Sequence, residues 1–591
     1  MATEKQYGVT APFSNDPPSA HDMRLNDALM AEFKAQNNFE PTSDTEKREA
    51  VLKKLEALLQ RMVQEVGKKK GLPPGILETA GGKVFTYGSY RLGVYGPGSD
   101  VDTLMVGPKH VTRSDFFEYM PDLIRGAWPP EQINSMVPVP EIGTPIIKLE
   151  VRNVDIDLIY SALQLSAIPK DLDLKDDNLL RPLNDTDRRC VNGTRVTNRL
   201  LELVPQTKPF RLAVRAIKLW STQRAVYGNI YGFPGGVAWA ILVARVCQLY
   251  PKAAAPLLIS KFFFIIKRWN WPKPVFLQNK EETSLSLREW DPVNNRADST
   301  HLMPVLTPVY PSTNTTHTIG PSSKMIMMRE LARGENIVNE IYGGKRQWKD
   351  LFQRHTFFTE SYKHYISVVT AAMSKEALNS WEGLVKSKLK WLVKGIEDFG
   401  GESVELVHLF NKGFTREHEC KTAEEIQKVF DGSLEYQVKE TKTTEREGLQ
   451  VLKMDGETEA ERKGPTKVWT TTFYLGIGLR KGANDLDISM AVQNLQGDCI
   501  AWPQYDRDQH SIKTKHLRNF NLPDDVFVEG EVKPSRPKKK TAAAKAAEAA
   551  SNKRSFSDTG LDMNADPAKR RLSANGSTPN GSTPQLNGNA G

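Results

Sequence analysis

At 591 residues the chain is too long for one hydrophobic core, so several domains are expected. Its 39% apolar and 26% charged residues fit a soluble globular protein, and a net charge of +9 suggests a polyanionic partner, although part of that excess sits near the C-terminus. Four scattered cysteines (Cys190, Cys247, Cys420 and Cys499) without a C-x-x-C pair argue against a disulfide framework or a zinc motif, and no apolar run is long enough to span a bilayer.

Residues 1–20 are rich in proline and read as extended, without an apolar signal core. Ser43-x-x-Glu46 has the form of a capping box. After it Val51, Leu52, Leu55, Leu58, Leu59, Met62, Val63 and Val66 recur at helical spacing, which predicts an amphipathic helix ending at Lys68-Lys69-Lys70-Gly71. Strands are expected over Val84–Tyr87 and Val101–Val106, separated by Gly88-Ser89 and a glycine-rich stretch. In a strand residues i and i+2 share a face, so Asp100 and Asp102 would project side by side. Adjacent carboxylates repel, and a fold tolerates them mainly where a cation neutralises them. Magnesium suits such a pair, because it takes carboxylate and phosphate oxygens. The Gly-Ser turn frees backbone N–H groups at a helix start, where phosphate binds. An Asp-x-Asp pair alone is more often a solvated strand end. Combined with the turn, it reads as phosphoryl or nucleotidyl transfer.

Pro145–Val151 and Val154–Ile159 read as two more strands of a central sheet. A two-metal site needs a third carboxylate from a neighbouring strand. Asp155 and Asp157 share one face, and spacing does not choose between them. From about Asn198 the pattern turns helical, through RLAVRAIKLW (211–220) into AVYGNIYGFPGGVAWA (225–240). Lys218 taken alone is an ordinary surface lysine. Gly235-Gly236 permits close approach of backbone to a ligand, and the apolar run through Leu249 reads as a buried helix. The aromatics of KFFFIIKRWNW (261–271) read as core rather than as an RNA-stacking platform. Pro304, Pro308 and Pro311 exclude a regular helix.

The helical region ends near Lys349–Phe358. Residues 360–530 read as an α+β unit, with strands at Tyr365–Thr370 and Trp469–Gly478 and helices at Trp381–Ile396 and Thr422–Val429. Their order and length suit an RRM-like domain, but the aromatic RNA-binding signature of such a domain is absent, so RNA contact would be electrostatic, with Lys386, Lys388, Lys390 and Lys394 as candidates. From about residue 531 the composition shifts to Pro, Ser, Asn, Gly, Ala and Lys, which predicts a disordered tail. Its basic clusters, Arg536-Pro-Lys-Lys-Lys540 and Lys553-Arg554 with Lys569-Arg570-Arg571, have the form of nuclear localisation signals.

The string YGSYRLGVYGPGSDVDTL (87–104) resembles the signature of the nucleotidyltransferase superfamily, in the branch of the eukaryotic nuclear poly(A) polymerases. YGVTAPFS (7–14), the 225–240 string and the Pro-rich 301–311 segment are similar to that family too. Tyr95 is a departure, because the branch often has His there. The resemblance implies an α+β multidomain fold in four parts. These are a palm-like mixed sheet with N-terminal helices (1–205), a helical nucleotide-binding middle domain (206–355), an RRM-like domain (356–530) and the basic tail (531–591). It implies a template-independent polynucleotide adenylyltransferase that adds AMP from ATP to an RNA 3′-hydroxyl and releases pyrophosphate. The setting would be a cleavage and polyadenylation complex in the nucleus, with a monomer outside it and no membrane. In the family's frame the third carboxylate is Asp157, in Ile156-Asp157-Leu158-Ile159. Asp100, Asp102 and Asp157 would hold two Mg2+ ions, with Mn2+ as a substitute. ATP would meet Tyr87, Gly88, Ser89, Ser99, Asp100, Val101, Asp102 and Asp157. Lys218 and Tyr227 would contact the triphosphate, and Asn229, Gly236 and Val237 would lie near ribose and base. The alternatives are another RNA terminal nucleotidyltransferase or a catalytically silent RNA-binding scaffold.

Overall fold

The structure is a computed structural model that describes residues 6–280, 283–401, 403–438, 465–483 and 486–536. Residues 1–533 form one compact unit. The basic clusters beyond Arg536 lie outside the described residues.

The N-terminal region runs α1 (Ala20–Ala35), α2 (Thr42–Lys69), α3 (Pro74–Ala80), β1 (Lys83–Thr86), α4 (Gly88–Leu92), β2 (Val101–Gly107), α5 (Arg113–Ala127), β3 (Ile133–Val139), β4 (Ile146–Val151), β5 (Val154–Ala162) and α6 (Asp185–Leu203). Ser19 starts α1 through a reciprocal capping box with Asp22. The capping box expected at Ser43 does not form: α2 begins behind Pro41 with no side-chain cap, and Ser43 lies inside its first turn. Glu40 is the local anchor instead, accepting from Thr45 and from the buried Arg48.

The sheet order is β1-β2-β5-β4-β3, with β2 and β5 parallel and the other neighbours antiparallel. Side chains alternate faces. Val101 and Met105 pack on one side with the apolar stripe of α2 and with Phe116, Met120 and Ile124 of α5. Leu104, Val106 and Ile159 pack on the other side with Cys190 and Val191 of α6. Asp102 and Asp157 have the parity of this second set, so they stand on the α6 side.

The middle region is helical: α7 (Thr207–Gln223), α8 (Gly236–Leu249), α9 (Ala255–Lys267), α10 (Arg296–Ser299), α11 (Pro321–Tyr342) and α12 (Trp348–Leu351). Helix α8 is apolar on nearly every side and is buried from Ala238 to Leu249, as the central helix of a bundle must be. Its Trp239 packs against Trp220 of α7 and Phe262 of α9, and Phe263 joins the same aromatic group. Leu29 and Phe33 of α1 join this core rather than the sheet's.

The C-terminal region runs β6 (His364–Ala372), α13 (Lys375–Phe399), β7 (Val404–Leu409), β8 (Phe414–Cys420), α14 (Ala423–Phe430), β9 (Thr466–Leu479), α15 (Ser489–Ile500) and β10 (His510–Arg518). Its antiparallel sheet has the order β10-β6-β9-β7, and β8 also pairs with β9. With β7 and β8 sharing the second-strand place, this is the βαββαβ arrangement of an RRM-like domain. Trp381, Val385 and Leu389 of α13 cover one face with Leu495 of α15. Phe357, Phe358, Leu522 and Val526 cover the other, burying Tyr365 and Tyr474. Aromatics that could stack on bases in an open RRM sheet are core here, consistent with the missing signature. Among the described residues no helix is long and apolar enough to cross a membrane.

Candidate active site

The site is built where β1 turns into α4. The Tyr87 N–H donates to the Asp102 carbonyl at 3.0 Å, extending the β1–β2 pairing by one residue. Gly88 then turns with φ +61°, and a Cβ there would lie 2.0 Å from Asp102 Oδ2. Only glycine permits both the left-handed backbone and this approach. The Gly88 N–H is not free for phosphate, contrary to expectation. It donates to Thr197 Oγ1, which donates in turn to the Gly193 carbonyl on α6. The open donors are the next ones, the N–H groups of Ser89 and Tyr90, and the Ser89 side chain lines the adjoining cavity.

Asp100 precedes the first residue of β2 and is exposed, while Asp102 and Asp157 are half-buried partners in the parallel β2–β5 register. One oxygen from each of the three lies within 4.8 Å of the others. Asp157, not Asp155, stands in this cluster; Asp155 is exposed and sits opposite Glu150. Among the described residues no salt bridge reaches any of the three. Burial is the main cause that pushes the Asp102 carboxyl up to about 7, followed by Asp100 and Asp157, with Lys218 working the other way. Burial also raises Asp157, and Lys148 offsets part of that rise from across the β4–β5 register. Three hard oxygen donors held together without a matching cation fit a divalent metal ion.

The cavity beside the cluster has a volume of about 520 Å³. Tyr87, Gly88, Ser89, Asp100, Asp102, Lys218, Tyr227, Gly236 and Val237 line it. Ser99, Val101, Asn229 and Asp157 are not among its lining residues. Ser99 accepts from the Gly96 N–H within the turn, Val101 is fully buried, and Asn229 is held by Thr318, whose hydroxyl donates to its Oδ1 at 2.6 Å. Lys218 is no surface lysine. Burial depresses its pKa, and Asp100 and Asp102 oppose that effect. Gly236 opens α8 against the Tyr227 hydroxyl, which would stand 2.9 Å from a Cβ at that position. Tyr95 packs on Tyr90 and below the Arg48 guanidinium, and does not line the cavity.

Sequence reasoning missed Lys148 and the α6 wall of the cavity, namely Arg189, Asn192 and Thr197. Asn184 caps α6 by accepting from the Asp187 N–H, so the helix begins well before Asn198. The Asn184-x-x-Asp187 spacing was the available signal.

The family descriptions "Poly(A) polymerase nucleotidyltransferase domain", "Poly(A) polymerase central domain" and "Poly(A) polymerase predicted RNA binding domain" match residues 8–204, 209–354 and 356–536. The chain is 41% identical to Poly(A) polymerase pla1 of Schizosaccharomyces pombe over 555 residues, covering 92% of this chain and 97% of that protein. It is 40% identical to Poly(A) polymerase PAPa of Candida albicans over 547 residues, covering 91% and 96%. A solved structure described as "Structural Basis for the Activity of a Cytoplasmic RNA Terminal U-transferase" matches 56% of this chain and 99% of its own, at 13% identity and a TM-score of 0.36, too low to decide anything. Three consecutive family matches and two relatives of nearly equal length place the chain in the poly(A) polymerase family.

Proposed function

We propose that this poly(A) polymerase performs its template-independent adenylyl transfer at the Asp100, Asp102 and Asp157 cluster, adding AMP from ATP to an RNA 3′-hydroxyl with release of pyrophosphate. The observation that carries the reading is the meeting at one cavity of the Gly88 turn, Lys218 and three carboxylates whose charge Lys148 and Lys218 only partly compensate. Asp100 and Asp102 would hold two magnesium ions between them, with Asp157 joining one; manganese can substitute. Ions bound there lower the pKa of the primer hydroxyl and neutralise triphosphate charge.

The chain's own groups position the substrate. The Ser89 hydroxyl and the open N–H groups of Ser89 and Tyr90 meet phosphate oxygens. Lys218 supplies a compact point charge for phosphate; burial lowers its pKa, and Asp100 and Asp102 oppose that effect. Tyr227 donates its hydroxyl to the triphosphate, and Tyr87, Ser99 and Val101 shape the turn and strand that present the carboxylates. Gly236 and Val237 lie against ribose and base. Asn229, held by the Thr318 hydroxyl, lies near ribose and base.

The units would be 1–205 for catalysis, 206–355 for nucleotide binding, 356–530 for RNA and 531–591 as a tail. RNA would follow the basic face of α13. There Lys386 stands 5.4 Å over the Tyr231 ring, beside Asn229 in the same turn, while Lys394 is tied to Asp398. The basic clusters of the tail support import into the nucleus, and membership of the family supports work within a cleavage and polyadenylation complex. Primer extension on a short RNA, with magnesium and each nucleoside triphosphate alone, tests the reading. A ladder with ATP only is expected. A ladder with UTP or CTP would overturn the adenine preference.

A further inference from the structure

The N-terminal segment 6–18 has no regular secondary structure and lies across the C-terminal end of α8. Gln248 Nε2 donates to the Tyr7 carbonyl at 3.0 Å, and the Phe13 N–H donates to the Leu249 carbonyl at 2.8 Å. The Phe13 ring meets Tyr250 edge-on, with centroids 6.1 Å apart. Between these attachments lies Arg245, which is 3% exposed. One of its amino groups donates to Thr10 Oγ1 at 2.6 Å and the other to Gln248 Oε1 at 3.1 Å. Its Nε has no partner, and among the described residues no carboxylate pairs with it. A Cβ on Gly8 would lie 2.7 Å from its guanidinium, so the segment rests directly on the charge.

A buried cation without a counter-ion is costly. Burial is the sole influence on the Arg245 pKa, and lowers it. Thr10, in contrast, is exposed. It joins a buried, half-satisfied guanidinium to a surface that another enzyme can reach. We propose that Thr10 is a phosphorylation site, and that Arg245 is the receiver built for its phosphate. The donor would be ATP held by a protein kinase. Thr10 Oγ forms a bond to the γ-phosphorus, the bond from that phosphorus to the bridging β-phosphate oxygen breaks, ADP leaves, and the hydroxyl proton passes to the kinase's base. The phosphate carries close to two negative charges and three strong acceptor oxygens. Beside Arg245 it supplies the missing counter-ion and fastens the segment to α8. Neither residue lines the nucleotide cavity, so turnover is unchanged while the clamp tightens.

The test uses the full chain. Thr10→Glu and Thr10→Val are compared in the native, Arg245→Lys and Arg245→Met backgrounds, reading the rate of proteolytic clipping within residues 6–18. In the native background Thr10→Glu should be clipped about threefold to tenfold more slowly than Thr10→Val. The gain should be partly kept with Arg245→Lys and lost with Arg245→Met, with primer extension unaltered throughout. Protein isolated from its own cells should carry phosphate on Thr10, removable by a phosphatase. Equal clipping of Thr10→Glu and Thr10→Val, an equal gain in Arg245→Met, or an unmodified Thr10 in cells would each overturn the proposal. Arg245-dependent protection of Thr10→Val by inorganic phosphate would also overturn it, and would make this a free-anion site.

Discussion

The catalytic sheet and the C-terminal sheet both bury charge, and they treat it in opposite ways. In the C-terminal domain Arg416, with its side chain 1% exposed, forks onto both oxygens of Asp525 at 2.6 and 2.9 Å and donates to Thr472 at 2.7 Å. That charge is matched within the fold, as a structural ion pair must be. In the catalytic sheet Asp102 and Asp157 face each other across adjacent parallel strands, next to Asp100, with Lys148 and Lys218 as the nearby cations that only partly compensate. The mismatch concentrates at the residues a metal ion would complete. A fold departs from internal charge balance where function requires it.

The largest expected effect is on catalysis. Asp102→Asn should lower primer extension by about a thousandfold or more, by removing a metal ligand and a charge. The same substitution should raise, not lower, the melting temperature of the metal-free protein, because it relieves carboxylate repulsion. Arg416→Met inverts this pattern. It removes a buried charge-assisted fork whose partner Asp525 still reaches water, and should cost about 1–3 kcal/mol of stability in a denaturant melt while the KM for ATP stays within about twofold. Equal stability losses at both sites would break the contrast. Gly88→Ala should come next, at about a hundredfold in kcat/KM. Its Cβ cannot share space with Asp102 Oδ2, and φ +61° adds backbone strain of about 1–3 kcal/mol.

The carboxylate cluster was legible because it needs only strand parity and a short motif. Choosing Asp157 over Asp155 needed either a family frame or the β2–β5 register, which puts Asp102 opposite Asp157. Lys148 was hidden for the same reason, since its place beside Asp157 depends on the pairing of β4 with β5. β3 was not read as a strand, because this edge strand has Pro138 and no clean alternation. Helix α1 was missed although Ser19 and Asp22 carry a real capping box, whereas the box read at Ser43 lost to Pro41, whose extended backbone is the entry to α2 two residues earlier. The β6 run at Tyr365–Thr370 was read as a strand, but its burial on both faces required Phe357, Phe358 and Leu522 to pack from outside the sheet.

The central claim, that the three carboxylates form a cage awaiting a divalent ion, is tested most directly without any turnover. Asp102 takes its proton near pH 7 in the folded chain, against an ordinary 3.8, so between these values the folded state binds the proton more tightly than the unfolded state. Metal-free stability should therefore fall as pH rises from about 4 to about 7 and level off above. Magnesium requires the ionised form, so the stabilisation it gives should grow over the same range. The measurement is the melting temperature with and without magnesium, at pH 5 and pH 8, for the native chain and Asp102→Asn. At pH 8 the metal-free variant should melt above the metal-free native protein, and magnesium should raise the native protein alone by several degrees. Identical metal-free melting of the two, with equal gains from magnesium at both pH values, would contradict the account.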